Sequence, residues 1–323
     1  VLTTLQHHIG WAPQPEISIE IDPGTFDRAK IQAYRDLGVN RFSLGVQGFD
    51  STLLHQCGRA HDLEDTYQAL GLIQELKLKN WSLDLIAGLP SQTLETWHNS
   101  LTEAIRIGPP HLSIYDLTLE PTTVFGKRYQ PGESPLPDDQ TTAHMYRQSQ
   151  QRLTQVGYEH YEVSNYAKPG HQCQHNRAYW CNQAYYGFGM GATSYVQGRR
   201  FSRPRTTQAY YGWVTSLGQG DWLRDLPETS GFDRLLDTLM LGSRLGEGLS
   251  LTELEQAFGS EVVAQVLVAV QPYQACGWVE IDRSGDDRLG NLQGNLRLND
   301  PEGFLFSNTI LASLFHHLEI NYL

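Results

Sequence analysis

Four short segments of alternating polarity, each followed by a helical pattern, constrain this chain most. EISIEID (from Glu16), RFSLGVQ (from Arg41), WSLDLIAGLP (from Trp81) and HLSIYDLTLEP (from His111) carry the period of two expected of strands. Between them, FDRAKIQAYRDLG, residues 50–79 and TLETWHNSLTEAIRIG carry helical spacing. Such alternation predicts parallel βα units. Thr25 and Thr93 stand where N-caps are expected, and Gly38 and Gly108 where helices should stop.

The two faces of these strands differ. Ile17, Ile19 and Ile21 oppose Ser18, Glu20 and Asp22; Phe42, Leu44 and Val46 oppose Ser43, Gly45 and Gln47; Leu83 and Leu85 oppose Ser82 and Asp84. A doubly wound sheet is covered on both faces and its strands run apolar throughout. Here one face is ready for helices while the other is small and polar, which predicts a (β/α) barrel whose interior holds a ligand. The polar residues lie near the C-terminal strand ends, where such barrels carry their sites. Four βα units are too few to close a barrel. The chain opens at Val1 on an amphipathic helical pattern, VLTTLQHHIGWAP, with Leu2, Leu5 and Ile9 on one side. A strand upstream of it is therefore expected, and the sequence reads as an N-terminal truncation.

At 323 residues the chain can bury a sizeable core and is expected to hold two units. Hydrophobic content of 40% and charged content of 19% are ordinary for a globular protein. A net charge of −12 disfavours nucleic acid or anionic lipid as a partner. No apolar run approaches the roughly 20 residues of a membrane span, and no signal peptide is visible. Four irregularly spaced cysteines suit a reducing cytoplasm better than a disulfide framework.

IEIDPGTF, GVNRFSLGVQGFD, GRAHD, LDLIAGLPSQT and LSIYDLTLEPTT, in this order, resemble the radical S-adenosylmethionine (SAM) proteins of the coproporphyrinogen dehydrogenase (HemN) group. The later YEVSNYAKPGHQCQHNRAYW is most similar to the HemW branch, the haem chaperones. The resemblance covers nearly the whole chain. It implies a SAM pocket formed by Glu20, Gln47, Arg59 and Asp84, with a backbone contact at Thr118. A guanidinium suits the methionine carboxylate, and carboxylates accept from ribose hydroxyls or the methionine ammonium. The family's [4Fe-4S] cluster is held by a C-x₃-C-x₂-C loop after the first strand, a spacing this sequence does not contain. The glycine-rich second strand is missing too. Both would lie upstream of Val1, so the cluster is expected in the intact protein only.

Residues 136–158 read as a Pro-Asp-Asp turn and a helix, followed by a strand HYEVSNYA that the resemblance makes a continuation of the barrel. From Phe232 the texture changes to helices in DRLLDTLMLGSRL, in LTELEQAFG and from Glu261 through YQACG. A hairpin GWVEID…DRLGNLQGNLRLND and a closing helix GFLFSNTILASLFHHL follow. This is a winged-helix pattern, and the HemN group carries a small helical C-terminal domain. The fold class is α/β: a partial radical SAM (β/α) barrel with its extension over residues 1–230, then a winged-helix-like domain over residues 231–323.

The run HNRAYWCNQAYYGFGMGATSY, residues 175–195, reads as neither helix nor strand. GFGMG lacks the lysine and the strand-to-helix context of a nucleotide loop. His171, Cys173, His175 and Cys181 are zinc-ligand types at atypical spacing. A porphyrin site would use an imidazole ligand, flat aromatics and glycines that admit close approach, while a packed, ligand-free lining is the bland alternative. The H-N-x-x-Y-W phrase resembles the haem-associated motif of the HemW family, which implies haem at His175, Tyr179 and Trp180. The resemblance thus implies a cytoplasmic haem chaperone that delivers haem to a client haemoprotein. The alternatives are an oxygen-independent coproporphyrinogen dehydrogenase and a zinc-stabilised interaction module.

Overall fold

The computed structural model describes residues 1–217, 223, 226–282 and 294–322. The chain divides into two compact units, Val1–Gln172 and Cys173–Leu323.

In the first unit a helix α1 (Leu2–His8) buries none of its residues. Then β1 (Ser18–Ile21), α2 (Arg28–Asp36), β2 (Arg41–Gln47), α3 (Ser51–Gln56), α4 (Leu63–Glu75), β3 (Trp81–Ala87), α5 (Leu94–Ile107) and β4 (His111–Asp116) follow. They are continued by α6 (Val124–Arg128), α7 (Asp139–Gln155), β5 (Glu159–Glu162) and β6 (Asn165–Ala167). The sheet order is β1-β2-β3-β4-β6-β5. The first four strands are parallel, while β6 runs antiparallel to β4 and to β5. HYEVSNYA is thus a hairpin rather than one strand, and the Asn165 amide donates to the Glu162 carboxylate across its turn.

The apolar strand face packs as the alternation predicts. Phe42, Leu44, Val46, Leu83 and Leu85 are buried in one cluster with Ile31 of α2, Ile73 of α4, Trp97 and Leu101 of α5, and Leu153 of α7. Each such side chain contributes about 1.5–3 kcal/mol by leaving water. The Trp97 indole N–H donates to the Met145 carbonyl (3.1 Å) and sits 3.2 Å from Ser149 Oγ, joining α5 to α7. The opposite face bears Glu20, Ser43, Asp84 and Tyr115.

Local signals settle the helix ends. Thr93 caps α5 in a capping box, and Gly108 is its C-cap. Asp27, not Thr25, caps α2: its carboxylate accepts from the Lys30 N–H at 2.8 Å. Thr25 instead donates to the Asp22 carbonyl at 2.6 Å, because the helix begins after it. Residues 50–79 form two helices rather than one. Gly58, at φ +69, turns the chain after α3, and Asp62 opens α4 with a capping box. Arg59 stands in that break.

The second unit opens with α8 (Gln174–Trp180), a helix within a run whose composition suggests none. The hairpin β7 (Thr193–Val196) and β8 (Arg199–Ser202) and α9 (Thr207–Ser216) follow. Next come α10 (Gly231–Gly242), β9 (Leu249–Ser250), α11 (Leu251–Phe258), α12 (Ser260–Ala275), β10 (Val279–Asp282), β11 (Asn295–Leu298), α13 (Glu302–Leu305) and α14 (Ser307–Tyr322). Three helices and the antiparallel sheet β10-β11-β9 make up the expected winged-helix arrangement, closed by α14 on α12. The turn of the C-terminal hairpin lies outside the described residues. Within the second unit the stretch after Gln172 is tied to the C-terminal helices. Arg177 pairs with Glu247, and Arg200 pairs with Asp237 of α10 at 2.8 Å.

Candidate functional site

Strand register builds the first constellation. Glu20, Ser43 and Ser82 stand in one row across β1, β2 and β3, and His111 of β4 follows Ser82. Asp84 stands opposite Ser113. Ser43 donates to Asp84 Oδ2 at 2.9 Å, and Ser82 Oγ lies 3.0 Å from Oδ1. Burial raises the Asp84 pKa, the Ser113, Ser43 and Ser82 hydroxyls oppose that rise, and the nearby charge of Glu20 adds to it. Beyond it, burial and then the charge of Asp84 push the Tyr115 phenol up to about 12, and burial pushes Asp116 up to about 6. Both residues are exposed at the C-terminal end of β4, Tyr115 on the Asp84 face and Asp116 on the other.

A second group gathers over Gly45. Arg59 pairs with Asp22 at 3.5 Å. A Cβ at position 45 would come within 2.6 Å of Asp22 Oδ1 and 2.7 Å of Gln47 Nε2, so a side chain there would push both groups aside. Gln47 is buried and holds a left-handed backbone at φ 67, next to a register shift between Leu44 and Gln47. Such a conformation costs about 1–3 kcal/mol in a non-glycine residue and tends to occur where function requires it. The fold therefore gathers Arg59 and Gln47 around Asp22, and Glu20 beside Asp84. Thr118 is exposed, two residues beyond β4, and no hydrogen bond or ion pair joins it to the other four among the described residues.

These donors fit SAM. A guanidinium and an amide suit the methionine carboxylate, carboxylates suit its ammonium and the ribose diol, and Gly45 leaves open a cradle that a Cβ would fill. When bound, SAM brings a sulfonium leaving group. The cluster is different. Cys57, Cys173, Cys181 and Cys276 form no disulfide with one another, and among the described residues no group of three or more His, Cys, Asp and Glu could hold a metal ion. The described residues do not fit a four-iron cluster. The zinc alternative at His171, Cys173, His175 and Cys181 falls for the same reason.

The three haem candidates lie together on α8. His175 is exposed, and its ring meets Tyr179, one turn later, edge-on at 4.7 Å. Tyr179 meets Tyr185 at 4.5 Å, and burial followed by the Tyr185 neighbour raises its pKa. Trp180 is half-buried, with the Arg244 guanidinium 5.5 Å from its ring centroid. Trp180 Nε1 and Arg244 Nε are buried with no hydrogen-bond partner among the described residues. An exposed imidazole beside flat rings suits a planar iron macrocycle.

Sequence alternation exposed the polar face but not every contributor. Asp22 was visible there as the residue following Glu20 in period. Ser113 and His111 of HLSIYD could have been found by the same alternation. Tyr161, which bonds His111, could not, because it arrives through the hairpin.

Residues 10–104 match the radical SAM superfamily, and residues 230–285 match the HemN C-terminal domain. The heme chaperone HemW of Synechocystis is 47% identical over 99% of this chain and 79% of its own length. That of Escherichia coli is 39% identical over 75% of this chain and 62% of its own. That of Bacillus subtilis is 34% identical over 76% and 64%, respectively, so the chain spans less than two thirds of these last two relatives. The solved coproporphyrinogen III oxidase (HemN) of E. coli, a radical SAM enzyme, shares the fold with a TM-score of 0.78 at 21% identity. It covers 98% of this chain and 73% of its own. With its parallel strands and their polar face, the HemN-type C-terminal region and this identity to the Synechocystis protein, the chain belongs to the HemW family of the radical SAM superfamily.

Proposed function

We propose that this protein is a haem chaperone of the cytoplasm: it binds haem on α8 through His175, with Tyr179 and Trp180 against the macrocycle, and delivers it to a client haemoprotein. SAM is held against the polar sheet face by Glu20, Gln47, Arg59 and Asp84, with Thr118 at the strand end. Residues 1–230 act as the SAM-binding barrel segment with its extension, and residues 231–323 as the C-terminal domain. The observation that carries the reading is α8 itself. It offers an exposed imidazole edge-on to the Tyr179 ring, and ends at the Trp180 indole, against which the Arg244 guanidinium packs. Neutral imidazole is a good ligand for haem iron, and a cationic donor complements haem carboxylates. Among the described residues no helix is long and apolar enough to cross a membrane.

The test is transfer. Haem-loaded full-length protein mixed with an apo-haemoprotein should lose its Soret signature as the client gains its own; haem that stays put contradicts delivery. The alternative reading, oxygen-independent dehydrogenation of coproporphyrinogen, draws on a likeness to HemN that is one of fold. Incubating the full-length protein with coproporphyrinogen and SAM should leave the porphyrinogen unchanged, and decarboxylated product would favour the dehydrogenase.

A further inference from the structure

The polar sheet face holds a relay that the SAM-binding residues do not account for. Ser82 Oγ lies 3.0 Å from Asp84 Oδ1 and 2.9 Å from His111 Nδ1. His111 Nε2 lies 2.9 Å from the Tyr161 hydroxyl, with the two rings 5.7 Å apart. Ser82 and His111 are each 1% exposed and Tyr161 is 3% exposed, so the chain of contacts is shielded from water. It spans β3, β4 and β5, and so joins the hairpin edge of the sheet to the carboxylate at its centre.

Proton counting fixes the direction. A serine hydroxyl has one proton to give, and an ionised carboxylate only accepts. Were Ser82 to donate to His111 Nδ1, its lone pairs would face Asp84 Oδ1 at 3.0 Å with no proton between them. Every contact is then a hydrogen bond only when Ser82 donates to Asp84 and His111 Nδ1–H donates to Ser82. A charged ring would donate Nε2–H to the Tyr161 hydroxyl, whereas a neutral ring accepts from it. Burial first, then the Arg41 guanidinium and His171, hold His111 well below its usual pKa of 6.5, which selects the neutral ring. Arg41 is itself buried and bound to Asn80 Oδ1 at 3.0 Å and to the His171 carbonyl at 3.3 Å.

We propose that His111 is a positioning residue for the SAM pocket. Held by Tyr161 as its Nδ1–H tautomer, it fixes the Ser82 hydroxyl and through it the orientation of the Asp84 carboxylate toward the ligand. The inference rests on the reading of this face as the SAM site. Asp84 then has its oxygens held from the sheet side by the Ser113, Ser43 and Ser82 hydroxyls, and its remaining lone pairs are available to SAM. Without His111 the Ser82 proton is free to rotate, and the carboxylate loses a fixed donor.

Two measurements test this. In the ¹⁵N-labelled chain, long-range imidazole correlation spectra should show His111 neutral with its proton on Nδ1; a proton on Nε2 would overturn the relay with or without SAM. In the full-length protein, His111→Leu fills the volume but cannot donate, and should weaken SAM binding about tenfold, the loss of one hydrogen bond near a charge. His111→Asn restores a donor near the Nδ1 position and should recover most of that loss, which a purely space-filling role would not predict. In an Asp84→Ala background, His111→Leu should have no further effect. Unchanged SAM affinity in His111→Leu, with Asp84→Ala still weakening it, would overturn the proposal and leave the site standing. Unchanged affinity in Asp84→Ala would remove the SAM reading instead, while the tautomer still decides the relay. Should the leucine variant fail to fold, Tyr161→Phe tests the same link: it should release the tautomer to a mixture, and an unaltered Nδ1–H spectrum would contradict Tyr161's part.

Discussion

Arg59→Ala should separate ligand binding from stability. In the folded chain Arg59 makes an ion pair with Asp22 at 3.5 Å, and the two side chains are 33% and 51% exposed. At the dielectric of water two unit charges at that distance attract by about 1.2 kcal/mol. Salt screening and the entropy of holding a long side chain reduce this to well below 1 kcal/mol. Arg59 stands in the break between α3 and α4 and lies outside the main hydrophobic cluster, so truncation leaves no cavity there. Denaturant unfolding should therefore shift by less than about 1 kcal/mol. A methionine carboxylate deprived of its guanidinium loses a charged hydrogen bond, about 1.5–3 kcal/mol, or roughly ten- to a hundred-fold in SAM affinity. Titration calorimetry of the full-length protein alongside unfolding curves measures both. A variant that unfolds 2 kcal/mol more easily yet binds SAM unchanged would make Arg59 a structural residue and refute its place in the pocket.

Leu83→Ala, one residue from Ser82 but on the opposite strand face, should cost about 2–5 kcal/mol in unfolding experiments because the site is closed on every side; a loss below 1 kcal/mol would mean the strand face is misassigned. His111 is neutral in the native state with its pKa held well below 6.5, so the unfolded chain takes up a proton that the native chain refuses. Its contribution to stability is therefore complete above pH 6.5 and lost as the pH falls below that value, and His111→Gln should flatten the acid side of the stability profile. Iron and sulfide added to this 323-residue chain should give no stable four-iron chromophore, as judged by its absorption and electron paramagnetic resonance spectra. A reproducible cluster would mean that its four cysteines serve as ligands after all.

Much of this was legible in the sequence for a physical reason. Side chains alternate across a strand, so SLDLIA states which face is buried before any partner strand is known. Leu83 and Leu85 went to the helices and Asp84 to the open face because no other registration buries the leucines. Thr93 and Gly108 marked the ends of α5 for equally local reasons. What depended on distant contacts was not legible. Asp22 meets Arg59 only because the chain turns at Gly58, and Tyr161 meets His111 only because HYEVSNYA folds back on itself. The α8 helix hides in a sequence that its aromatics and cysteines make look irregular. Its ties to Glu247 and Arg244 lie far along the chain, beyond the reach of any local pattern.

Haem binding to α8 is the point to test most directly. Haem titrated into the protein should give a ligated Soret band, and His175→Ala should shift or abolish it. Tyr179→Ala and Trp180→Ala should lower affinity without changing the ligation spectrum if, as proposed, they line the macrocycle and do not ligate the iron. Cys173→Ser and Cys181→Ser should leave the band as it is. A spectrum altered by either serine substitution but untouched by His175→Ala would move the iron ligand to sulfur. A spectrum untouched by all of these changes would mean that α8 is packing and that haem, if it binds, binds elsewhere.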